Sequence, residues 1–216
     1  MLPEKLDSFT SNFKKQDNLA MSMRLPAGIL RQVTLTFDDG PDLATTPELL
    51  DHLAELQVKA TFFVLGSKIA KPEGWAILEK IAAEGHQIGN HGFSHVDFTK
   101  LTPAAVEDEI KTTEELIGML DHGIKLWRPP FGFHNAIVDN VISKLGYRIV
   151  LWNVSSLDWT AEYQNGSWVS HTMKQIVLTQ NCVVLAHDIF PSTVVHIPQL
   201  VTAIRALPNT KFAQLP

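Results

Sequence analysis

Segments with strand-like and helix-like patterns alternate along the chain from residue 31 onward. Short runs rich in apolar, β-branched and aromatic residues predict seven strands, and a segment with helical periodicity separates each strand from the next. A single helix between successive strands favours a parallel sheet with right-handed crossover connections. The predicted strands are residues 33–37, 60–65, 86–90, 125–128, 147–154, 183–187 and 211–215.

This alternation predicts an α/β fold, and its seven units favour a distorted, seven-stranded (β/α) barrel of the TIM kind. An open, doubly wound sheet is the alternative. The chain has no Gly-x-Gly-x-x-Gly motif or phosphate-binding loop to support a nucleotide-binding version of that sheet. Residues 1–30 show no clear periodicity and are predicted to form an N-terminal arm, and residues 31–216 a single domain.

The charge and hydropathy of the chain exclude several classes of partner. The net charge of −5 provides no basic surface for nucleic acid. No apolar run reaches the ~20 residues that a transmembrane helix needs. The first residues lack the apolar core of a signal peptide, so a cytoplasmic location is expected. The single cysteine, Cys182, rules out an intrachain disulfide, and the sequence predicts no oligomeric state.

Polar side chains follow five of the predicted strands. In parallel barrels, catalytic residues collect at the carboxyl end of the sheet. We therefore expect side chains that are far apart in the sequence to meet at one rim. They are Asp38 and Asp39, His91 and His95, Arg128, Asp158 and Trp159, and His187 and Asp188.

The adjacent carboxylates Asp38 and Asp39 repel each other unless a cation lies beside them. His91 and His95 are four positions apart, a spacing that brings both imidazoles to one side of a helical turn. One aspartate and two histidines form a facial triad that suits Zn²⁺, or another divalent ion such as Co²⁺, Ni²⁺, Fe²⁺ or Mn²⁺. Only one aspartate is then needed as a ligand, and the other is free to act as a general base.

Each of these motifs also has an ordinary structural explanation. Asp-Asp-Gly-Pro by itself is typical of a turn, and a pair of histidines at this spacing is a weak metal signal when it stands alone. Arg128 alone suggests a surface ion pair, and His187 alone suggests a hydrogen-bonded core residue. The prediction of a site rests on the five motifs occurring together.

The motifs, in this order, resemble those of the polysaccharide deacetylases, also known as carbohydrate esterase family 4 or the NodB-homology enzymes. They are Thr-Phe-Asp-Asp-Gly, His-x-x-x-His, Arg-Pro-Pro-Phe-Gly, the Asp-Trp of Ser-Ser-Leu-Asp-Trp, and the Leu-x-His of Val-Val-Leu-Ala-His-Asp. The resemblance extends from about residue 34 to residue 188, roughly three quarters of the chain. It implies a distorted (β/α) barrel, often with seven strands, and makes residues 31–216 a single catalytic domain.

The resemblance implies the metal ligands and the proton carriers. The implied ligands are Asp39, His91 and His95. The implied proton carriers are the general base Asp38, paired with Arg128, and the general acid His187, tethered by Asp158.

The resemblance also implies substrate contacts. Trp159 and Leu185 would line an apolar pocket for the acetyl methyl group, and the backbone N–H of Phe131 would help to bind the oxyanion. His134, just after the Arg-Pro-Pro-Phe-Gly loop, is a further candidate for contact with the substrate.

The chain departs from the family pattern at three places. Phe131 stands where the family usually has tyrosine, and Gly92 follows the first histidine where serine or threonine is common. Ser155 and Ser156 replace an additional acid that often precedes the Asp-Trp pair. None of these changes removes a ligand or a proton carrier, so they bear on the substrate more than on the activity.

The implied activity is metal-dependent removal of N-acetyl groups from amino-sugar polysaccharides or oligosaccharides related to chitin, peptidoglycan or poly-N-acetylglucosamine. A water activated by the metal would attack the amide, with an aspartate as base and a histidine as acid. Two alternatives stay open. One is the same site in a deformylase of a lipid-linked amino sugar or an amidohydrolase of a small cyclic amide, and the other is an inert carbohydrate-binding barrel.

Overall fold

The computed structural model describes residues 29–120 and 124–216. The predicted N-terminal arm, apart from its last two residues, lies outside the described part of the chain. Within the described part, no helix is both long enough and apolar enough to cross a membrane.

Strands and helices largely alternate along the described residues, as the sequence predicts. The strands are β1 (Arg31–Asp38), β2 (Thr61–Val64), β3 (Gln87–Asn90), β4 (Leu126–Trp127), β5 (Arg148–Ile149), β6 (Val154–Ser155), β7 (Asn181–His187) and β8 (Thr210–Phe212). The α-helices are α1 (Thr46–Glu55), α2 (Gly66–Ile69), α3 (Pro72–Ala83), α4 (Pro103–Ile117), α5 (Ala136–Lys144), α6 (Trp168–Ile176) and α7 (Pro191–Arg205). Short 3₁₀ helices lie at Phe98–Lys100 and Pro130–Gly132.

All the strands pair in parallel, and the sheet curls into a half-barrel with helices around it. The strand order is β5-β4-β3-β2-β1-β7-β6. The central strand β1 pairs with β7 along its length, and on its other side with β8 at residues 31–33 and with β2 at residues 36–38. The predicted fold class, a distorted (β/α) barrel, is confirmed.

The prediction of one strand over residues 147–154 is wrong. The segment forms two short strands at opposite ends of the sheet, because β5 pairs with β4 and β6 pairs with β7. Between them, the carbonyl groups of Val150 and Leu151 accept hydrogen bonds from the side chain of Arg128, at 3.0 and 3.3 Å. A continuous apolar run in the sequence does not show that its two halves pair with different strands, so the pattern predicts one strand where the structure has two.

Two helix starts and the last strand also differ from their predictions. The helical periodicity of the sequence predicts starts at Trp75 and at about Val195, but helix α3 begins at Pro72 and α7 at Pro191. Proline fits the first turn because its φ is already helical and no N–H is left without a partner there. The last strand is Thr210–Phe212 rather than residues 211–215.

Apolar side chains on both faces of the sheet hold the layers together. The main cluster joins β1, β2 and β7 to the helices α1, α3, α6 and α7. Because side chains alternate along a strand, Phe63 points to the opposite face from Phe62 and packs with Leu126, Val150 and Leu215 inside the half-barrel. Burying each such side chain contributes about 1.5–3 kcal/mol, which keeps the strand ends in fixed positions.

The buried residue His86 makes the stability of this fold sensitive to acid. Its side chain is fully buried, and its Nδ1 accepts a hydrogen bond from the N–H of Ala60 at 3.1 Å. Burial, with the charge of Lys59, lowers the pKa of His86 from 6.5 to about 4. Between these pH values His86 is protonated in the unfolded chain but not in the folded protein. The free energy of unfolding therefore falls as the pH decreases through this range.

We expect this titration to cost on the order of 3 kcal/mol of unfolding free energy between pH 6.5 and pH 4. His86→Asn keeps an acceptor near the Ala60 N–H but does not titrate, so its stability should depend less on pH. Urea unfolding of both proteins across this range measures the difference. Parallel curves for the two proteins would contradict the assignment.

Candidate metal centre and active site

The carboxyl ends of five strands bring the predicted residues to one rim. Asp38, the last residue of β1, is in register with His187, the last residue of β7. His91 follows β3 and Arg128 follows β4, both on the other side of β1. Asp158 follows β6, the neighbour of β7. The strand order therefore assembles one site from residues that are distant in the sequence.

Asp39, His91 and His95 form a group that could hold a metal ion, and the described residues contain no other such group. Their ligand atoms all lie within 4.8 Å of one another. Oδ1 of Asp39 lies 3.3 Å from Nε2 of His91 and 3.1 Å from Nε2 of His95. Metal–ligand bonds of ~2.1 Å place neighbouring ligand atoms about 3.0–3.5 Å apart, so the spacing fits a small divalent cation.

The hydrogen bond of His91 makes its Nε2 available as a ligand. Its Nδ1 lies 2.8 Å from the carbonyl oxygen of Arg128, and because that oxygen can only accept, Nδ1 carries the proton. In the neutral ring, the lone pair of Nε2 then faces the carboxylate of Asp39 at 3.3 Å. Two lone pairs that face each other favour a cation between them, so the donor set fits a metal.

The loops that carry these residues are charged and conformationally strained. Burial alone would raise the pKa of Asp39, but the neighbouring imidazoles of His91 and His95 and the charge of His187 lower it well below its ordinary value. Asp39, His95 and Phe131 have positive φ angles of 74°, 57° and 60°. Outside glycine, such angles cost about 1–3 kcal/mol each, so packing around the site must hold these loops in place.

Asp38 is paired with a buried arginine. The side chain of Arg128 is fully buried, and its Nη1 donates to Oδ1 of Asp38 and to Oγ1 of Thr36, both at 2.7 Å. The guanidinium lies over the ring of Phe63, 4.2 Å from the centroid. Burial lowers the pKa of Arg128 and the charge of Asp38 opposes this. The other oxygen of Asp38, Oδ2, lies 3.9 Å from Nε2 of His91.

Asp158 holds His187 by two hydrogen bonds. Its Oδ1 lies 2.8 Å from Nδ1 of His187, and its Oδ2 accepts the backbone N–H of His187 at 2.8 Å. The hydroxyl of Thr193 donates to the same Oδ2 at 2.7 Å. Burial alone would lower the pKa of His187, but the charge of Asp158 raises it to about 9. Nδ1 carries a proton because the carboxylate can only accept, which leaves Nε2 as the nitrogen that can exchange a proton.

Aromatic rings border both sets of histidines. The ring of Trp159 packs edge-on against His187, with centroids 5.2 Å apart, and Phe190 packs on the same imidazole at 5.6 Å. The ring of Phe131 lies 4.5 Å from that of His95. These rings give the site apolar walls beside its charged groups.

The other predicted substrate contacts lie at the edge of the site. Leu185 is buried in β7, two residues before His187 and therefore on the same face of the strand. His134 is exposed and its Nδ1 lies 2.7 Å from Oδ1 of Asp139, so it stands outside the metal group. The roles of Leu185, Trp159, Phe131 and His134 toward a substrate stay predictions.

Asp188 belongs to the rim but not to the metal group. It is fully buried, and its Oδ2 accepts a hydrogen bond from Oγ1 of Thr46 at 2.6 Å. Burial raises the pKa of Asp188 to about 7, although the hydrogen bond from Thr46 opposes the shift. A Cβ at Gly40 would clash with this carboxylate, so glycine is required there. Asp188 thus packs the end of β7 against the loop that carries Asp39.

The motifs do not reveal two residues that support the site. Thr193 on α7 bonds Asp158, and Glu109 on α4 bonds the loop between His91 and His95. Both contacts join separate elements, and no short-range pattern marks either residue. Their roles become visible only when the helices are packed on the sheet.

A curled parallel sheet with a candidate metal group and two charge pairs at the carboxyl ends of its strands has the architecture of an α/β-barrel enzyme. A family model described as polysaccharide deacetylase matches residues 30–150, more than half of the chain. The chain belongs to the polysaccharide deacetylase family. The resemblance drawn from the five motifs is confirmed.

The chain is similar in sequence to deacetylases from two bacteria. The chain is 32% identical over 209 residues to the peptidoglycan-N-acetylglucosamine deacetylase PgdA of Listeria monocytogenes, across 94% of this chain and 42% of that protein. It is 36% identical over 164 residues to the chitooligosaccharide deacetylase of Bradyrhizobium sp., across 74% of this chain and 72% of that protein. The chain spans less than half the length of the Listeria relative.

The fold matches a solved member of the same family. A family 4 carbohydrate esterase from Streptomyces lividans, in complex with acetate, superposes with a TM-score of 0.76 at 29% identity, across 88% of this chain and 95% of that chain. The family and the names of these relatives denote hydrolases of carbon–nitrogen bonds other than peptide bonds.

The contact with Asp158 predicts how His187 titrates. In the metal-free protein we expect a pKa of about 9, and Asp158→Asn should lower it by roughly 2 units because the neighbouring charge is lost. The raised pKa stabilises the fold fully below pH 6.5, and this stabilisation is lost as the pH rises through about 9. NMR titration of the imidazole of His187 measures both proteins.

Thr193→Val is the matched control, since it removes one hydrogen bond to Asp158 but keeps the negative charge. Its effect on the pKa of His187 should be smaller than that of Asp158→Asn. An unchanged pKa in Asp158→Asn would show that this carboxylate does not govern the protonation of His187.

Proposed function

We propose that the protein is a metal-dependent N-deacetylase of amino-sugar polysaccharides or oligosaccharides. The observation that carries the proposal is the Asp39–His91–His95 group, which lies beside two separate charge pairs, Arg128 with Asp38 and His187 with Asp158. Hydrolysis of an amide needs an activated water, a base and an acid, and the three sets can supply them. The names of the relatives, peptidoglycan and chitooligosaccharide deacetylases, support an N-acetylated sugar as the substrate.

Asp39, His91 and His95 would hold the metal, and Zn²⁺ is the ion we propose. Carboxylate and imidazole donors with open positions suit zinc. The side chains of Asp39 and His95 are 19% and 26% exposed, so an ion held by them would be accessible from solvent. When bound, the ion would polarise the carbonyl group of the substrate and lower the pKa of a water molecule.

Asp38 is assigned as the general base. Its Oδ1 is occupied by Arg128 and Thr36, which hold the carboxylate in place. Its Oδ2 lies on the side of the metal group, 3.9 Å from Nε2 of His91. From this position the free oxygen can accept a proton from the attacking water.

His187 is assigned as the general acid. Its raised pKa keeps the ring protonated at neutral pH, and Asp158 holds the Nδ1 side. The proton on Nε2 is then the one to pass to the amide nitrogen, which leaves as an amine only after it gains a proton. Because β1 and β7 are neighbours, the base and the acid stand in register on adjacent strands.

The remaining residues are assigned to the acyl group and the sugar. We assign Trp159 and Leu185 to a pocket for the acetyl methyl group, and the N–H of Phe131 to the oxyanion. Phe131 has no hydroxyl, so a contact that tyrosine would make with the sugar is missing. His134 is assigned to contact with the substrate at the exposed edge of the rim.

A substrate panel tests the proposed class of reaction. Release of acetate from acetylated chitooligosaccharides or peptidoglycan fragments, in the presence of zinc, supports the deacetylase. Release of formate from a formylated, lipid-linked amino sugar, or opening of a small cyclic amide, favours the alternative hydrolases. Glycan binding without any product at saturating zinc favours an inert carbohydrate-binding barrel.

Asp39→Asn and His91→Ala are expected to lose bound zinc and acetate release together, because each removes one of only three protein ligands. Zinc content after dialysis and acetate release from chitooligosaccharides provide the two measurements. Wild-type turnover in a variant that holds no metal would disprove the metal requirement.

Asp38→Asn is expected to retain zinc, but its turnover rate should fall about 10²–10⁴-fold because the general base is lost. The substitution also leaves Arg128 buried without its counter-charge, so the unfolding free energy should fall by about 3–5 kcal/mol. Assays therefore belong at a temperature where circular dichroism shows the variant to be folded. Turnover at the wild-type rate in that folded variant would refute the assignment of the base.

A further inference from the structure

The two candidate histidine ligands are joined by a loop of three residues, 92–94, whose backbone groups are bonded from two sides. The N–H of Gly92 donates to Oδ1 of Asn90 at 2.8 Å. The carbonyl groups of Gly92 and Phe93 accept hydrogen bonds, both of 3.0 Å, from the first two N–H groups of α2. The loop is therefore docked on α2 through its carbonyl groups.

Glu109 of α4 accepts the other two N–H groups of the loop. Its Oε2 lies 2.7 Å from the backbone nitrogen of Phe93 and 2.9 Å from that of Ser94. Its Oε1 accepts a hydrogen bond from the hydroxyl of Ser94. One carboxylate thus makes three contacts within the segment between the two ligands.

The conformation of this segment needs such anchors. Gly92 has a φ of 81° and His95 a φ of 57°. Residues with a side chain disfavour positive φ, so His95 keeps this angle only while its surroundings hold it. Without Glu109, the N–H of the half-buried Phe93 would lose its partner, and His95 would be free to relax away from Asp39.

We infer that Glu109 is a positioning residue that holds His91 and His95 at the spacing at which both reach Asp39. The inference rests on the metal site of the proposed function. Gly92 carries no hydroxyl with which to brace the loop, and the carboxylate of Glu109 provides that brace from a different helix. Residues that support metal ligands in this way typically change metal affinity by about 10–100-fold when they are removed.

The experiment measures the zinc dissociation constant by chelator competition, together with the melting temperature of the metal-free protein. Glu109→Ala should raise the dissociation constant by about 10–100-fold. Glu109→Gln should stay within about threefold of the wild type, since its amide can accept both N–H groups and donate to Ser94. Glu115→Ala, an exposed position on the same helix, is the matched control and should bind zinc as the wild type does.

The melting temperature of the metal-free protein separates positioning from general stability. The inference requires that Glu109→Ala weakens zinc binding at a temperature where the variant is fully folded. If Glu109→Ala does not fold, the zinc dissociation constant of Ser94→Ala tests the inference instead. That substitution removes one of the three contacts and should raise the dissociation constant by about threefold, with the melting temperature unchanged.

Different results overturn different claims. Equal zinc affinity in the wild type and in folded Glu109→Ala, or in Ser94→Ala when that variant decides, would overturn the role of Glu109 and leave the proposed metal site intact. A wild-type protein that binds no zinc would overturn the metal site, and the inference with it. Equal losses in Glu109→Ala and Glu115→Ala would show an effect of the helix as a whole and would also overturn the inference.

Discussion

The ion pair between Arg128 and Asp38 joins the end of β4 to the end of the central strand β1. Arg128 follows β4, and its guanidinium donates hydrogen bonds to Asp38 and Thr36 on β1. It also donates to the carbonyl groups of Val150 and Leu151, in the segment that connects β5 to β6. A buried cation without its partners costs several kcal/mol, so these contacts must form together. The same interaction that joins the end of β4 to β1 also orients the carboxylate proposed as the base.

The balance of charge at the rim favours the cation that we propose for the site. Arg128 balances Asp38, and His187, with its raised pKa, balances Asp158. Asp188 is buried with a pKa near neutrality, which limits its negative charge. Asp39 is left with its lowered pKa and two imidazoles whose Nε2 atoms lie within 3.3 Å of its oxygen. The divalent ion that we propose would supply positive charge beside Asp39 that the neighbouring side chains do not.

The proposed chemistry depends on supports that come from outside the sheet. Thr193 on α7 holds Asp158, which in turn holds His187, and Glu109 on α4 holds the segment between the two histidines. Each helix therefore contributes a polar contact to the rim in addition to the apolar face that packs on the strands. The positive φ angles of Asp39 and His95 persist because these contacts and the packing beneath them leave the loops little freedom.

The sequence by itself determined the alternation of strands and helices, the parallel sheet, and the residue types at the strand ends, because periodicity and turn chemistry are local properties of the chain. The sequence did not predict the change of strand partner within residues 147–154, which form two strands rather than one, because no local signal marks it. Only the tertiary structure decided that Nδ1 of His91 bonds the carbonyl of Arg128, and that Glu109 bonds the loop beside His91. Those contacts depend on how separate elements pack on one another, and no spacing along a single segment encodes that packing.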